Sequence, residues 1–280
     1  MRTRDLSLLS FEVALDQTPA AFFDATFAAK INGLWEVDCN EDRLSCVMKR
    51  TDLAFTRVEL LFCLLGSVLV VIPAVSLLAS NKSESQRAVC YNNLRQIGRA
   101  FQSWTSDHEN ALPFRIPYPE GTKNTPNSSF MNSAWFHYSI ISNHLASPKV
   151  LGCPADQHAP LSANNWGVGP SGFLNSAFRA NALSYSIFLD SFPLEPRSIL
   201  SSDRNIRATA YNVSCSSGAT QCAGLGLADP LVRWTNDVHG VSGDLLFCDG
   251  SAAFTSSDEL RSAVQQSPGD PTELHILTPR

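Results

Sequence analysis

The sequence predicts an α+β protein: a long N-terminal helix whose first part spans a membrane, packed on a C-terminal domain with a small antiparallel sheet. Three observations carry that expectation. Leu60–Ala79 contains no charged residue, and about 20 apolar residues are what a helix needs to cross the hydrocarbon core of a bilayer. Farther on, Cys90, Leu94, Ile97, Phe101 and Trp104 recur in steps of four, three, four and three, which is one face of an amphipathic helix. From Glu109 on, prolines, glycines and short apolar runs alternate, as in a loop-rich domain with short strands.

Composition narrows the function class. Of the 280 residues 44% are hydrophobic and 17% charged, and the net charge is −5, so neither a basic patch nor an aromatic-basic stripe argues for nucleic acid. No repeat at solenoid or propeller period is visible.

In chain order, residues 1–54 read as a leader. Met1–Val47 holds apolar clusters such as Ala20-Ala21-Phe22-Phe23 but lacks the pattern of a secretory signal. Two readings of it stand: translation that begins at Met48, or a long cytoplasmic leader with a small helical piece. Lys49 and Arg50 would keep this end in the cytoplasm. Residues 55–80 form the spanning segment, with a kink expected at Pro73. Residues 81–111 are the amphipathic continuation, with Asn92, Asn93, Arg95, Gln96, Arg99 and Gln102 on its polar side. Residues 112–280 form the extracytoplasmic α+β domain: a Pro-rich break at Pro113–Pro126, a short helix near Trp135–Leu145, strands near Asn181–Asp190 and Ser198–Asp203, and a Gly/Ser/Ala-rich loop over Val213–Pro230.

Glu59 does not fit a plain anchor, because an ionisable group at the edge of a span is costly. The run Ala54-Phe55-Thr56-Arg57-Val58-Glu59-Leu60-Leu61 resembles the processing site of type IV prepilins and type II secretion pseudopilins. The resemblance implies cleavage by a prepilin peptidase between Ala54 and Phe55 and methylation of the new amino terminus. It also implies that Glu59 pairs with the terminal amine of a neighbouring subunit. Ala54 stands where the family usually has Gly, and Arg57 where it usually has an apolar residue. Three later motifs resemble those of a large pseudopilin-like family, in order: Cys90-Tyr91-Asn92-Asn93-Leu94-Arg95-Gln96-Ile97-Gly98, Cys153-Pro154-Ala155-Asp156, and His239 with Asp249-Gly250 as H-x9-DG. The implied function is a structural subunit of a secretion or pilus-like filament. Its partners would be the peptidase, other pseudopilin subunits, an inner-membrane assembly platform and membrane lipid. The alternative is a membrane-anchored extracytoplasmic protein that binds a ligand such as a polysaccharide and never polymerises.

Physically, Asp249-Gly250 between two apolar runs is a hairpin signal, with His239 placed to cap or hydrogen-bond it. The other reading is a Ca²⁺ site from Asp249, Asp203, a carbonyl and His239; otherwise no cofactor is expected. No catalytic residue is assigned: there is no Gly-x-Ser-x-Gly elbow, and the absence of a C-x-x-C pair argues against zinc. In an oxidising space Cys215 and Cys222, flanking a six-residue loop, are the expected disulfide, and Cys90 on the buried helix face is the expected free thiol.

Overall fold

The computed structural model describes residues 35–40, 45–50, 57–268 and 272–279. The chain divides into two compact units, Met1–Val75 and Ser76–Arg280. In the first, β1 (Trp35–Asn40) and β2 (Ser45–Arg50) pair as an antiparallel hairpin. The described part of the segment before Ala54 is thus strand, where one of the two readings places a small helical piece. Met48 lies within β2, opposite Val37.

Helix α1 (Arg57–Asp107) is 51 residues long. It is followed by the short helices α2 (Ser128–Met131) and α3 (Ala134–Ile140). Then come the strands β3 (Tyr185–Phe188), β4 (Ile199–Asp203), β5 (Ile206–Arg207), β6 (Ala210–Val213), β7 (Cys222–Gly226), β8 (Arg233–Trp234), β9 (Ser242–Phe247) and β10 (Ala252–Ser256). Helix α4 (Ser257–Gln266) and β11 (Glu273–Leu277) close the chain.

Seven strands form one antiparallel sheet in the order β10-β9-β4-β3-β11-β7-β6. Both faces are covered. On one, Cys90, Leu94, Ile97, Phe101 and Trp104 of α1 join a core with Tyr138, Tyr185, Ile187, Leu200 and Leu246, so the periodicity read from the sequence is the packed face of the helix. On the other, Leu260 and Val264 of α4 pack with Phe188, Ile199, Leu245, Phe247, Leu274 and Ile276. A capping box between Ser256 and Glu259 starts α4 directly after β10. Residues covered on both sides explain why β3 and β4 are buried throughout and lack the alternation of a one-sided sheet.

At Gly98, α1 packs closely on the β9–β10 hairpin. A Cβ there would stand 2.8 Å from Leu246 Cδ1 and 3.2 Å from Gly250 Cα. Gly250 itself has φ +79° and turns the β9–β10 hairpin, the role the Asp-Gly pair predicts.

Two parts of the expected fold class are corrected. Among the described residues, no helix is long and apolar enough to cross a membrane. The described side chains of α1 are those of a helix with a polar face: from Lys82 to Asp107 it carries Glu84, Arg87, Arg95 and Arg99, and in the run Leu60–Ala79 the described side chains, Leu61, Leu65 and Ser67, are exposed. The sheet is also not small. Its seven strands dominate the Ser76–Arg280 unit, because Cys222–Gly226, expected within an exposed loop, and Glu273–Leu277 supply two further buried strands, and the hairpin strand Ser242–Phe247 joins the same sheet.

Candidate functional site

The three motifs from Cys90 onward meet in space. Cys90 on α1 and Cys153 of the C-P-x-D element form a disulfide. Asn93 Nδ2 donates to the Gly152 carbonyl at 3.0 Å, and the Cys153 N–H donates to Ser184 Oγ at 2.9 Å, so the bridge is fixed from both sides. His239 of H-x9-DG places Nε2 3.5 Å from Cys153 Sγ. At the other end of that motif, Gln102 Nε2 of α1 donates to the Cys248 carbonyl.

The disulfide expectation is therefore corrected. Cys90, expected free, is bridged, while Cys215 and Cys222 are buried thiols. The reason is where each sulfur points: Cys222 Sγ donates to the Val213 carbonyl at 2.9 Å and Cys215 Sγ to Asp190 Oδ1 at 3.5 Å. Asp249 also takes a different place from the calcium reading. Its Oδ1 accepts from the Ser251 N–H at the exposed hairpin turn, away from the His239 cluster. His239 faces Cys153 and Asp203 and does not cap the hairpin. Ala54 and Phe55 lie outside the described residues; Glu59 belongs to α1, and its side chain lies outside them as well.

Under α1 lies the most demanding group of side chains in the domain. Asp203 ends β4 and Asp244 sits in β9, neighbouring strands next to the β10 edge of the sheet. Both residues are 0% exposed. The Asp244 N–H donates to Asp203 Oδ2 at 2.7 Å, and His239 Nε2 lies 3.8 Å from the same oxygen. Asp203 Oδ1 and both carboxylate oxygens of Asp244 accept no hydrogen bond. Like charges on adjacent strands repel, and burial penalises ionisation further. Accordingly, burial and the neighbouring Asp244 hold the Asp203 carboxyl well above the usual range. Burial lifts Asp244 to about 7 against an opposing pull from Arg87, and burial and then Arg87 lower His239 to about 4.

The surroundings hold these groups still. Asn205 Nδ2 donates to the carbonyls of Thr235, Gly240 and Ser242, which pins the segment that carries His239. Asp156 of the C-P-x-D element pairs with Arg204 at 3.8 Å. A cleft of about 450 Å³, lined by Asn93, Gly152, Cys153, Pro154 and Asp156 among others, reaches this side of the domain.

A second buried cluster lies along the sheet at β11. His275 donates its backbone N–H to Asp190 Oδ2 at 2.6 Å, and its Nδ1 lies 2.8 Å from the same oxygen. Nε2 faces Glu273 at 3.5 Å. Bonding to Asp190 and then to Cys215 raises His275 to about 10. A thiol, an imidazole and a carboxylate in contact suggest a nucleophile, but Cys215 gives its hydrogen to Asp190 and the distal imidazole nitrogen is turned to Glu273. The neighbouring Cys222 thiol is pushed up to about 12 by burial, the opposite of an activated nucleophile.

Sequence reasoning named His239, Asp203 and Asp156 but missed Asp244, Asn205, Arg204 and the Asp190–His275 pair. Asp244 had a signal: a charged residue inside the apolar run Gly243–Phe247 of a strand covered on both sides. Asp190 and His275 are 85 residues apart and leave no local pattern.

Comparison with family models, curated proteins and solved structures finds no match to this chain.

Proposed function

We propose that the chain is a non-catalytic structural subunit, working outside the cytoplasm, that assembles with like subunits through α1 as the resemblance to pseudopilins implies. The observation that carries this reading is the division of labour along α1. From Cys90 to Trp104 its apolar side chains are buried in the domain core. The helix begins 33 residues before Cys90, at Arg57, and there Leu61 and Leu65, one turn apart, are each 58% exposed. Apolar residues at i and i+4 make a stripe that a second helix can cover. The Cys90–Cys153 bridge suits an oxidising compartment. In this reading a prepilin peptidase cuts before Phe55, and Glu59 receives the new amine of an adjacent subunit.

The test is cross-linking of the protein in its native cells together with mass spectrometry of its amino terminus. The reading expects a chain that starts at Phe55, a cross-linked ladder for the wild type and mostly monomer for Glu59→Val. Losing one member of a desolvated pair costs about 3–5 kcal/mol, at least about two orders of magnitude in affinity. An uncut amino terminus, or the same ladder from both proteins, would sink it.

One observation favours a second reading, capture of a ligand such as a polysaccharide. A cleft of about 310 Å³ is lined by Trp135, Arg179, Asn132, Asn181 and Gln221, with the Arg179 guanidinium 4.3 Å over the Trp135 ring. Amides and a guanidinium beside an aromatic ring are polar groups that can orient a hydroxyl-rich ligand. Loss of oligosaccharide binding on Trp135→Ala would support it.

A further inference from the structure

We propose that Asp203, Asp244 and His239 bind one divalent ion of the first transition row, of the Zn²⁺ or Mn²⁺ type, as a brace between β4, β9 and the segment before β9. One ligand atom from each of the three residues lies within 4.8 Å of the other two, which small side-chain adjustments bring to a common centre. The observation that demands a ligand is the unpartnered state of the oxygens. Two fully buried carboxylates present three oxygens that no protein donor reaches, whereas buried polar groups are as a rule satisfied.

Arg87 exerts an electrostatic pull on Asp244, but no cation among the described residues bonds to these oxygens. Among the described residues no Lys or Arg makes an ion pair with Asp203 or Asp244; Arg204 pairs with Asp156. The Arg87 guanidinium lies 4.0 Å over the Phe254 ring, and its Nε makes no hydrogen bond. A dipositive ion cancels both carboxylate charges at once. It also explains why the third group is an imidazole: nitrogen ligands suit Zn²⁺ and its neighbours, whereas Ca²⁺ takes oxygen alone. The sulfurs of Cys90 and Cys153 are joined to each other and are not ligands. Cys153, which touches His239, also lines the 450 Å³ cleft, so solvent lies one side chain away from the imidazole.

The experiment uses the full-length chain, stripped with chelator and titrated separately with Zn²⁺, Mn²⁺ and Ca²⁺. Bound metal is counted by mass spectrometry and stability is read as Tm. The expected result is one equivalent of Zn²⁺ or Mn²⁺ and a rise in Tm of roughly 5–10 °C at about a hundredfold excess over Kd. Asp244→Asn is isosteric and breaks no protein hydrogen bond to that side chain. It should fold, lose the bound equivalent and show no metal-dependent rise. His239→Gln is the second variant and should weaken binding at least about tenfold. Asp249→Asn, at the exposed turn, should respond like the wild type. No bound equivalent with either ion, an unchanged response in both Asp244→Asn and His239→Gln, or a rise with Ca²⁺ alone would overturn the proposal.

Discussion

The two buried acid–imidazole clusters on the α1 side of the sheet use the same residue types and reach opposite electrostatic outcomes. At Asp190 and His275, one buried carboxylate meets one imidazole, with the Cys215 thiol and the His275 backbone N–H as further donors; the second carboxylate there, Glu273, is 26% exposed and faces Nε2 from the solvent side at 3.5 Å. The charges cancel within the protein, and the imidazole is held protonated up to about 10. At Asp203, Asp244 and His239, two carboxylates meet one imidazole that burial keeps neutral down to about 4, and three oxygens are left without donors. Burial of the second acid decides the difference: Glu273 beside His275 is 26% exposed and keeps its hydration, whereas Asp203 and Asp244 are both 0% exposed and need a cation. The first cluster is self-contained structure; the second is a place for a ligand.

Breaking the self-contained cluster should have the largest effect. Asp190→Ala takes from His275 its closest partner and leaves only the partly exposed Glu273 at 3.5 Å; it should cost about 3–5 kcal/mol, read as a lower midpoint of denaturant unfolding. The same pair sets a pH dependence. Between the ordinary 6.5 and about 10, native His275 keeps a proton that the unfolded chain releases. Stability therefore is fully present below 6.5 and falls as pH rises through about 10, by up to about 1.4 kcal/mol per pH unit. Asp190→Asn should flatten that slope; an unchanged slope would mean that His275 is not the titrating group.

Next in size is the bridge beside the second cluster. Replacing Cys90 and Cys153 together by Ala frees a loop with a sequence separation of 63 and should cost about 2–4 kcal/mol. Because Cys153 touches His239, it should also weaken metal-dependent stabilisation. A double variant with unaltered metal response would separate the bridge from the site. Smaller still is Gly98→Ala. The new methyl group meets Leu246 and the Gly250 backbone, so α1 must lift from the hairpin, at about 1–3 kcal/mol. A stabilised Gly98→Ala would show that helix propensity outweighs that contact.

How much of this was legible in the sequence follows from the range of each signal. The buried face of α1 was readable, because a helix repeats its core contacts every three or four residues. The β9–β10 turn was readable from Asp249-Gly250 alone. The breadth of the sheet was not: strands covered on both faces show no alternation, and β11 pairs with distant partners, Ile276 with Phe188 of β3 and Glu273 with Gly226 of β7. The membrane span rests on the uncharged apolar run Leu60–Ala79 behind Lys49 and Arg50, and among the described residues no helix is long and apolar enough to cross a membrane. The disulfide was misassigned because proximity in sequence was taken for proximity in space. Cys215 and Cys222 have nearby backbone acceptors and a carboxylate for their sulfurs, while Cys90 and Cys153 are brought together only by packing α1 on the domain. His239 was singled out, but Asp244, whose chemistry completes that cluster, was hidden among apolar neighbours.

The contrast between the clusters rests on one claim, that the interior balances the charge of Asp190 and does not balance that of Asp244. Urea unfolding of the metal-free full-length protein at pH 8, comparing Asp190→Asn with Asp244→Asn, tests it most directly. Asp190→Asn should lose stability, because it weakens a paired charge. Asp244→Asn should match or exceed the wild type, because it removes a buried carboxyl that has no partner for either oxygen. Equal losses in the two variants would contradict the account.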